Sequence, residues 1–144
     1  ALHFGAEVPF MRPDELAQDN SPELLAWRHG LNYLRESSGS LPNIMVSIPA
    51  TAPLRNIVDI ENCIDLYNNG AVEIVITTSN AQRSPYFNMV KKTQDGYVEI
   101  VNPPKSAILR RQDAPEVFDV ATVCYVANPE FIMKNDSIFN GVGF

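Results

Sequence analysis

The sequence predicts a single α/β domain, residues 1–144, with a mostly parallel sheet, and three observations favour this class. Two runs of apolar and β-branched residues, 43–48 and 72–78, have the length and composition of buried strands. A helical pattern lies between them, so the span 43–78 is typical of a strand–helix–strand unit with a parallel, right-handed crossover. A third apolar run, 118–126, adds a strand, and a 45% hydrophobic content suffices for one core.

Helix boundaries are indicated by capping residues and apolar periodicity. Segment 21–23, Ser-Pro-Glu, predicts a helix start because it supplies a capping hydroxyl, a first-turn proline and an early acid. That helix is expected to end at 37–39, Ser-Ser-Gly. A second helix is expected from Asn56 to a C-terminal cap at Gly70. A short helix is expected near 129–134.

A β-hairpin is predicted over 86–101, because Asp95-Gly96 is a turn signal between two strand-like segments. We expect it to project from the main sheet. Its apolar residues have little core of their own to cover them, so the region 84–104 predicts a contact with a second subunit and a homodimer. These residues are Tyr86, Phe87, Met89, Val98 and Ile100.

Charge and hydropathy exclude several classes of function. A formal charge of -6 leaves no broad basic face, so nucleic acid is not an expected partner. No apolar run approaches the roughly 20 residues that a membrane-spanning helix needs, and the first residues lack the pattern of a signal peptide, so a cytoplasmic protein is expected. Cys63 and Cys124 have no CxxC spacing and are expected to be buried thiols.

Two segments carry a family resemblance: Pro-Ala-Thr-Ala-Pro-Leu-Arg at 49–55 and Arg-Arg-Gln-Asp-Ala-Pro at 110–115. Further likenesses lie at 5–13, 59–60 and 84–87, and in the strand that ends at Tyr125. Their order and spacing, over almost the entire chain, resemble the acylneuraminate cytidylyltransferase (CMP-sialic acid synthetase) family. The resemblance implies a Rossmann-like, GT-A-like nucleotidyltransferase fold. It also implies transfer of CMP from CTP to the anomeric hydroxyl of a 2-keto sugar acid, with release of pyrophosphate and assistance from Mg²⁺.

The resemblance also implies substrate-binding residues. Arg111 aligns with the family arginine associated with the sugar carboxylate, and Tyr125 with a tyrosine that lines the sugar pocket. Gln112, Thr51 and Arg55 are further candidates. For Arg111 a surface ion pair with Asp113 or Glu116 is the alternative, and Gln112 could simply turn the chain. Thr51 and Arg55 could equally shape their loop or pack against the following helix. No catalytic residue is indicated.

The sequence departs from the family pattern at both ends and at two pocket positions. The N-terminal phosphate-binding loop and the C-terminal Asp-x-Asp metal segment have no counterpart, and neither Asp119 nor Asp136 takes the place of the latter. We therefore expect the middle of such an enzyme, inactive alone, with the Mg²⁺ ligands elsewhere in the complete enzyme. Pro49 stands where many members have glutamine, and Ala121 where many have asparagine. A legionaminic or pseudaminic acid relative therefore fits as well as N-acetylneuraminate.

Two other functions are compatible with the same residues. The chain could be a non-catalytic α/β binding or assembly module derived from this family. It could also be a nucleotidyltransferase for another sugar, although the Arg-Arg-Gln-Asp segment favours a sugar acid over a neutral sugar phosphate.

Overall fold

The computed structural model describes residues 2–104, 108 and 110–141. Its helices and strands follow one another as α1 (Glu23–Ser38), β1 (Met45–Ser47), α2 (Ile57–Asn69), β2 (Ile74–Asn80), β3 (Val90–Lys92), β4 (Val98–Ile100), β5 (Phe118–Ala127) and α3 (Pro129–Lys134). Short 3-10 turns occur at Leu2–Phe4, Asp14–Leu16, Arg111–Asp113 and Ile138–Asn140. The chain divides into two compact units, one within residues 1–76 and 123–144 and the other within 77–122.

The main sheet has the strand order β1–β5–β2. β1 and β5 are antiparallel, with Met45 opposite Ala127. Along β2 and β5, Thr77 Oγ1 donates to the Ala121 carbonyl at 2.6 Å and the Ala81 N–H donates to the Val117 carbonyl at 3.2 Å, which is also the antiparallel sense. The mostly parallel sheet is therefore not confirmed. The reason is that β5, the last strand along the chain, separates the two strands of the predicted crossover unit.

In the first unit, helices cover both faces of the sheet. Successive strand residues point to opposite sides, so both faces carry apolar side chains that pack against a helix. One face packs on α1 and α3 through Leu31, Ile74, Ala127, Phe131 and Ile132. The other packs on α2 through Cys63, Val75, Cys124 and Val126. This layering confirms a mixed α/β protein and explains why the strand segments are nearly continuous in apolar residues.

The helix ends agree with the sequence except for one cap. α1 ends at Gly39, which has a φ of 82° that favours glycine. α2 begins after Asn56, whose N–H donates to Asp59 Oδ2 at 3.3 Å. Ser21 is not the predicted cap of α1. Its hydroxyl donates to the Glu15 carbonyl at 2.7 Å, so it holds the preceding turn instead.

The predicted hairpin is present in the second unit. β3 and β4 are antiparallel, with Val90 opposite Ile100 and Lys92 opposite Val98, and Gly96 has a φ of 85° in the connecting turn. At the base of the hairpin, the Ser84 carbonyl accepts from the N–H groups of residues 87, 88 and 89. The Asn102 N–H donates to the Pro85 carbonyl at 2.8 Å and joins the two ends of the segment at its base.

Candidate functional site

The two adjacent arginines of the 110–115 segment have different surroundings. Arg110 donates from Nε and Nη2 to the two carboxylate oxygens of Asp113, at 2.9 and 3.0 Å, in a bidentate ion pair. Arg111 begins the following 3-10 turn and donates from Nη2 to the Gln82 carbonyl at 3.0 Å. The ion pair with Asp113 that was the alternative for Arg111 is thus formed by its neighbour.

Arg111 lines a cavity of about 240 Å³, which we call the Arg111 cavity. All of its walls belong to the second unit, and its polar lining comprises Asn80, Arg83, Ser84, Arg111 and Glu116. In the part of the chain that the structure describes, the Arg111 guanidinium forms no ion pair, and its described hydrogen bond goes to a neutral carbonyl. An arginine in this setting can bind an anion without first losing a carboxylate partner.

Ser84 makes one wall of this cavity rigid. It is the buried polar residue of the described chain, at 6% exposure. Its N–H donates to Asn88 Oδ1 at 2.6 Å, and its hydroxyl oxygen accepts from the Tyr86 N–H at 3.3 Å. Since both backbone and side chain are engaged within the turn, the position of Ser84 is set by local structure and does not depend on a ligand.

A second cavity, of about 340 Å³, also lies within the second unit. Ser79, Gln82, Met89 and Asp119 line it, and it shares Asn80 and Arg83 with the Arg111 cavity. The sequence does not single out Asn80 or Arg83, because neither belongs to a segment that carries the family resemblance. Asn80 is the last residue of β2 and Arg83 directly precedes Ser84, so neither position has a signal of its own in the sequence.

Gln112 is exposed in the middle of the 3-10 turn. Thr51 is exposed in the loop that follows β1. For Arg55 the structure supports the loop-shaping alternative, because Nε donates to the Ala52 carbonyl at 2.7 Å and Nη2 donates to the Pro49 carbonyl. The guanidinium therefore closes the 49–55 loop from its C-terminal end.

Tyr125 lies in the first unit, 6% exposed, opposite Ser47 on β1. Its ring is 5.3 Å from the Trp27 ring, centroid to centroid, in a tilted arrangement typical of aromatic pairs. Burial, and secondarily the charge of Glu23, raise the pKa of the Tyr125 hydroxyl. The hydroxyl is thus kept in its neutral form, which can donate a hydrogen bond.

The chain is similar to two known bacterial proteins. No protein-family model matches the chain. The chain is 30% identical over 139 residues, 96% of its own length, to the CMP-N,N'-diacetyllegionaminic acid synthase of Campylobacter jejuni subsp. jejuni serotype O:2. A Campylobacter coli protein named post-translational flagellin modification protein B is also 30% identical over 139 residues, and the chain spans 58% of the length of each relative. The two similarities confirm the resemblance to the acylneuraminate cytidylyltransferase family.

Residues 2–104, 108 and 110–141 contain no group of three or more His, Cys, Asp or Glu side chains that could hold a metal ion. The same part of the chain contains no helix long and apolar enough to cross a membrane.

Both cysteines are buried, as predicted, and the structure places them in one apolar cluster of the first unit. Burial, followed by the hydrogen bond and the charge of Cys63, raises the pKa of the Cys124 thiol to about 12. Since the thiolate is the nucleophile and the metal ligand, this environment does not favour a reactive role for Cys124.

Proposed function

We propose that the protein carrying this chain is a cytidylyltransferase that transfers CMP from CTP to a nonulosonic acid, with release of pyrophosphate. The observation that carries the proposal is the Arg111 guanidinium, which lines a polar cavity and forms no ion pair in the described part of the chain. The name of one similar protein, the CMP-N,N'-diacetyllegionaminic acid synthase, supports the same reaction class.

Arg111 binds the carboxylate of the sugar acid. A guanidinium offers planar, paired N–H donors that match a carboxylate, whereas lysine offers only a point charge. The hydrogen bond to the Gln82 carbonyl uses one of these donors and orients the plane of the group. The remaining donors are available to the ligand, and their charge opposes that of the carboxylate.

The sugar acid is of the legionaminic acid type. The Campylobacter jejuni relative is named for N,N'-diacetyllegionaminic acid. Here, the Pro49 and Ala121 side chains cannot hydrogen-bond a sugar hydroxyl or amide, and the Pro49 carbonyl is engaged by Arg55. The contacts that many sialic acid enzymes make from these positions are therefore absent from this sequence, which favours a differently decorated nonulosonate.

The complete enzyme requires Mg²⁺ and works as a homodimer. We expect the metal, held by residues outside this chain, to neutralise the nucleotide phosphates. The hairpin supports the dimer, because the cross-strand partners Val90, Ile100, Lys92 and Val98 share one face and Val90 and Val98 are more than half exposed. The opposite face carries the Lys91–Glu99 ion pair at 3.1 Å, which is typical of a solvent-facing side.

The test is product formation by the complete natural protein with CTP and Mg²⁺. The panel comprises N,N'-diacetyllegionaminic acid, N-acetylneuraminic acid and a neutral sugar phosphate, and mass spectrometry identifies the CMP-sugar and pyrophosphate. We expect turnover of the sugar acids, with the legionaminic acid used best. Turnover of the neutral sugar phosphate alone would indicate another nucleotidyltransferase, and absence of any turnover would favour a non-catalytic module.

Arg111→Ala is the matched test of the site in the same assay. We expect kcat/KM for the sugar acid to fall by about tenfold to a hundredfold, since a charge-assisted hydrogen bond is lost, while the KM for CTP changes little. Arg110→Ala is the control, because Arg110 is already paired with Asp113. Equal damage to the use of both substrates would contradict the assigned role.

A further inference from the structure

We propose that Arg83 is a second guanidinium of the sugar-acid site and that it binds the same carboxylate as Arg111. This inference rests on the proposed function and extends it to a residue outside every segment that carries the family resemblance. The site is then a two-arginine clamp, with the anion between a residue of the β2–hairpin connection and a residue of the 3-10 turn before β5.

The geometry points to Arg83 through its place in the Arg111 cavity. Both arginines line this cavity, within the same compact unit. The carbonyl that accepts the hydrogen bond from Arg111 belongs to Gln82, the residue directly before Arg83. The peptide bond between Gln82 and Arg83 therefore holds the Arg111 guanidinium next to the backbone of Arg83. Arg83 is exposed and forms no ion pair among the described residues, so its charge too is available to a ligand.

The charges around the cavity favour one negative group. Arg83 and Arg111 contribute two positive charges and Glu116 one negative charge, in a protein whose formal charge is -6. Two like charges around a cavity of about 240 Å³ repel one another, and an anion between them removes that repulsion. The local excess of one positive charge matches a monoanion.

The anion could be the carboxylate of the sugar acid or a phosphate of CTP, and the lining favours the carboxylate. A triphosphate carries several negative charges, more than the single positive charge in excess among Arg83, Arg111 and Glu116 can balance. The other polar groups, the Asn80 amide and the Ser84 hydroxyl, are neutral and suit the hydroxyl and amide groups that surround the carboxylate of a sugar acid.

The experiment compares a charged ligand with its uncharged counterpart. Isothermal titration calorimetry of the complete natural protein measures the Kd of N,N'-diacetyllegionaminic acid and of its methyl ester, for the parent protein and for Arg83→Ala. We expect Arg83→Ala to weaken binding of the acid about tenfold or more and to leave binding of the ester within about twofold of the parent value. Arg83→Lys keeps the charge but loses the planar fork, so it should restore only part of the affinity for the acid.

Each other outcome separates this inference from the proposed function. An equal loss for acid and ester, or no loss for the acid, overturns the role of Arg83. A selective rise in the Kd or KM of CTP also overturns it and assigns Arg83 to the nucleotide. If Arg111→Ala discriminates acid from ester and Arg83→Ala does not, the clamp is wrong while the proposed function stands. If the parent protein binds neither acid nor ester, both proposals fail. Arg83 is exposed, so an unchanged melting temperature is the expected sign that the variant is folded.

Discussion

Replacing Arg28 by methionine should destabilise the first unit more than the loss of its ion pair with Asp136 alone would. Arg28 lies on α1 with a side chain only 21% exposed. It donates from Nε to the Ile132 carbonyl at 2.8 Å and from Nη2 to the Asn135 carbonyl. It also forms an ion pair, at 3.3 Å, with Asp136, whose side chain is 97% exposed. The guanidinium thus holds the C-terminal end of α3 against α1.

The size of the effect follows from these three contacts. The two carbonyls lie at the end of α3, where backbone acceptors lack helical partners and a cation is favoured by the helix dipole. Hydrogen bonds from a charged donor contribute about 1.5–3 kcal/mol each and are not additive, so we expect a loss of about 2–4 kcal/mol in the free energy of unfolding. The ion pair with the exposed Asp136 contributes no more than about 1 kcal/mol.

Urea unfolding of the two single variants separates the contributions. Methionine preserves the apolar stem of Arg28 and its helix propensity, so Arg28→Met tests the guanidinium alone. Asp136→Asn removes the ion pair and leaves both carbonyl contacts. We expect a large fall in the denaturation midpoint for the first variant and almost none for the second. Similar losses in the two variants, or a loss below about 1 kcal/mol for Arg28→Met, would refute this assignment of the stability.

Two further predictions concern the hairpin and the buried thiols. Val98→Glu replaces an exposed apolar side chain by a carboxylate on the hairpin face that Val98 shares with Val90 and Ile100, and it should halve the mass measured by light scattering. Glu99→Gln, on the other face, should leave the mass unchanged. An unchanged mass for Val98→Glu would contradict the dimer surface. The Cys124 thiol has a pKa of about 12 in the folded protein, above its ordinary value near 9, so the unfolded chain loses this proton first. The stability due to the neutral thiol is complete below pH 9 and is lost as the pH rises towards 12. As the pH rises from 8 to 10, the urea midpoint of Cys124→Ala should therefore fall less steeply than that of the parent protein. The same dependence of the midpoint on pH in both proteins would argue against this assignment.

The elements of the fold could be predicted well, because their signals are local. The second helix follows from its first-turn acid and apolar stripe, and the structure has it at Ile57–Asn69. The short helix expected at 129–134 is present at Pro129–Lys134. Strand order could not be predicted, because β5 is apolar on both faces and would fit either at the edge or between β1 and β2. Only its long-range pairing determines the antiparallel arrangement.

The proposed site rests on Arg111, which stands within a segment that carries the family resemblance, and its role stays a prediction. The sequence does not say which of the two adjacent arginines pairs with Asp113. The three-residue spacing of Arg110 and Asp113 across the 3-10 turn decides that. Arg83 gave no signal, because an exposed arginine in an irregular connection has the composition of any surface loop. Its relation to Arg111 depends on the long-range hydrogen bond between Arg111 and the Gln82 carbonyl.

The closed base of the hairpin makes its tip a suitable position for a reporter. The Ser84 carbonyl accepts three N–H groups, and the Asn102 N–H donates to the Pro85 carbonyl at 2.8 Å, so the two ends of the segment are joined independently of the turn at Asp95-Gly96. Because loop-closure entropy grows only slowly with length, residues inserted between Asp95 and Gly96 cost little once the base is fixed. A short peptide tag or a single labelled cysteine at this turn would report on the surroundings of the hairpin while the Arg111 cavity keeps its walls.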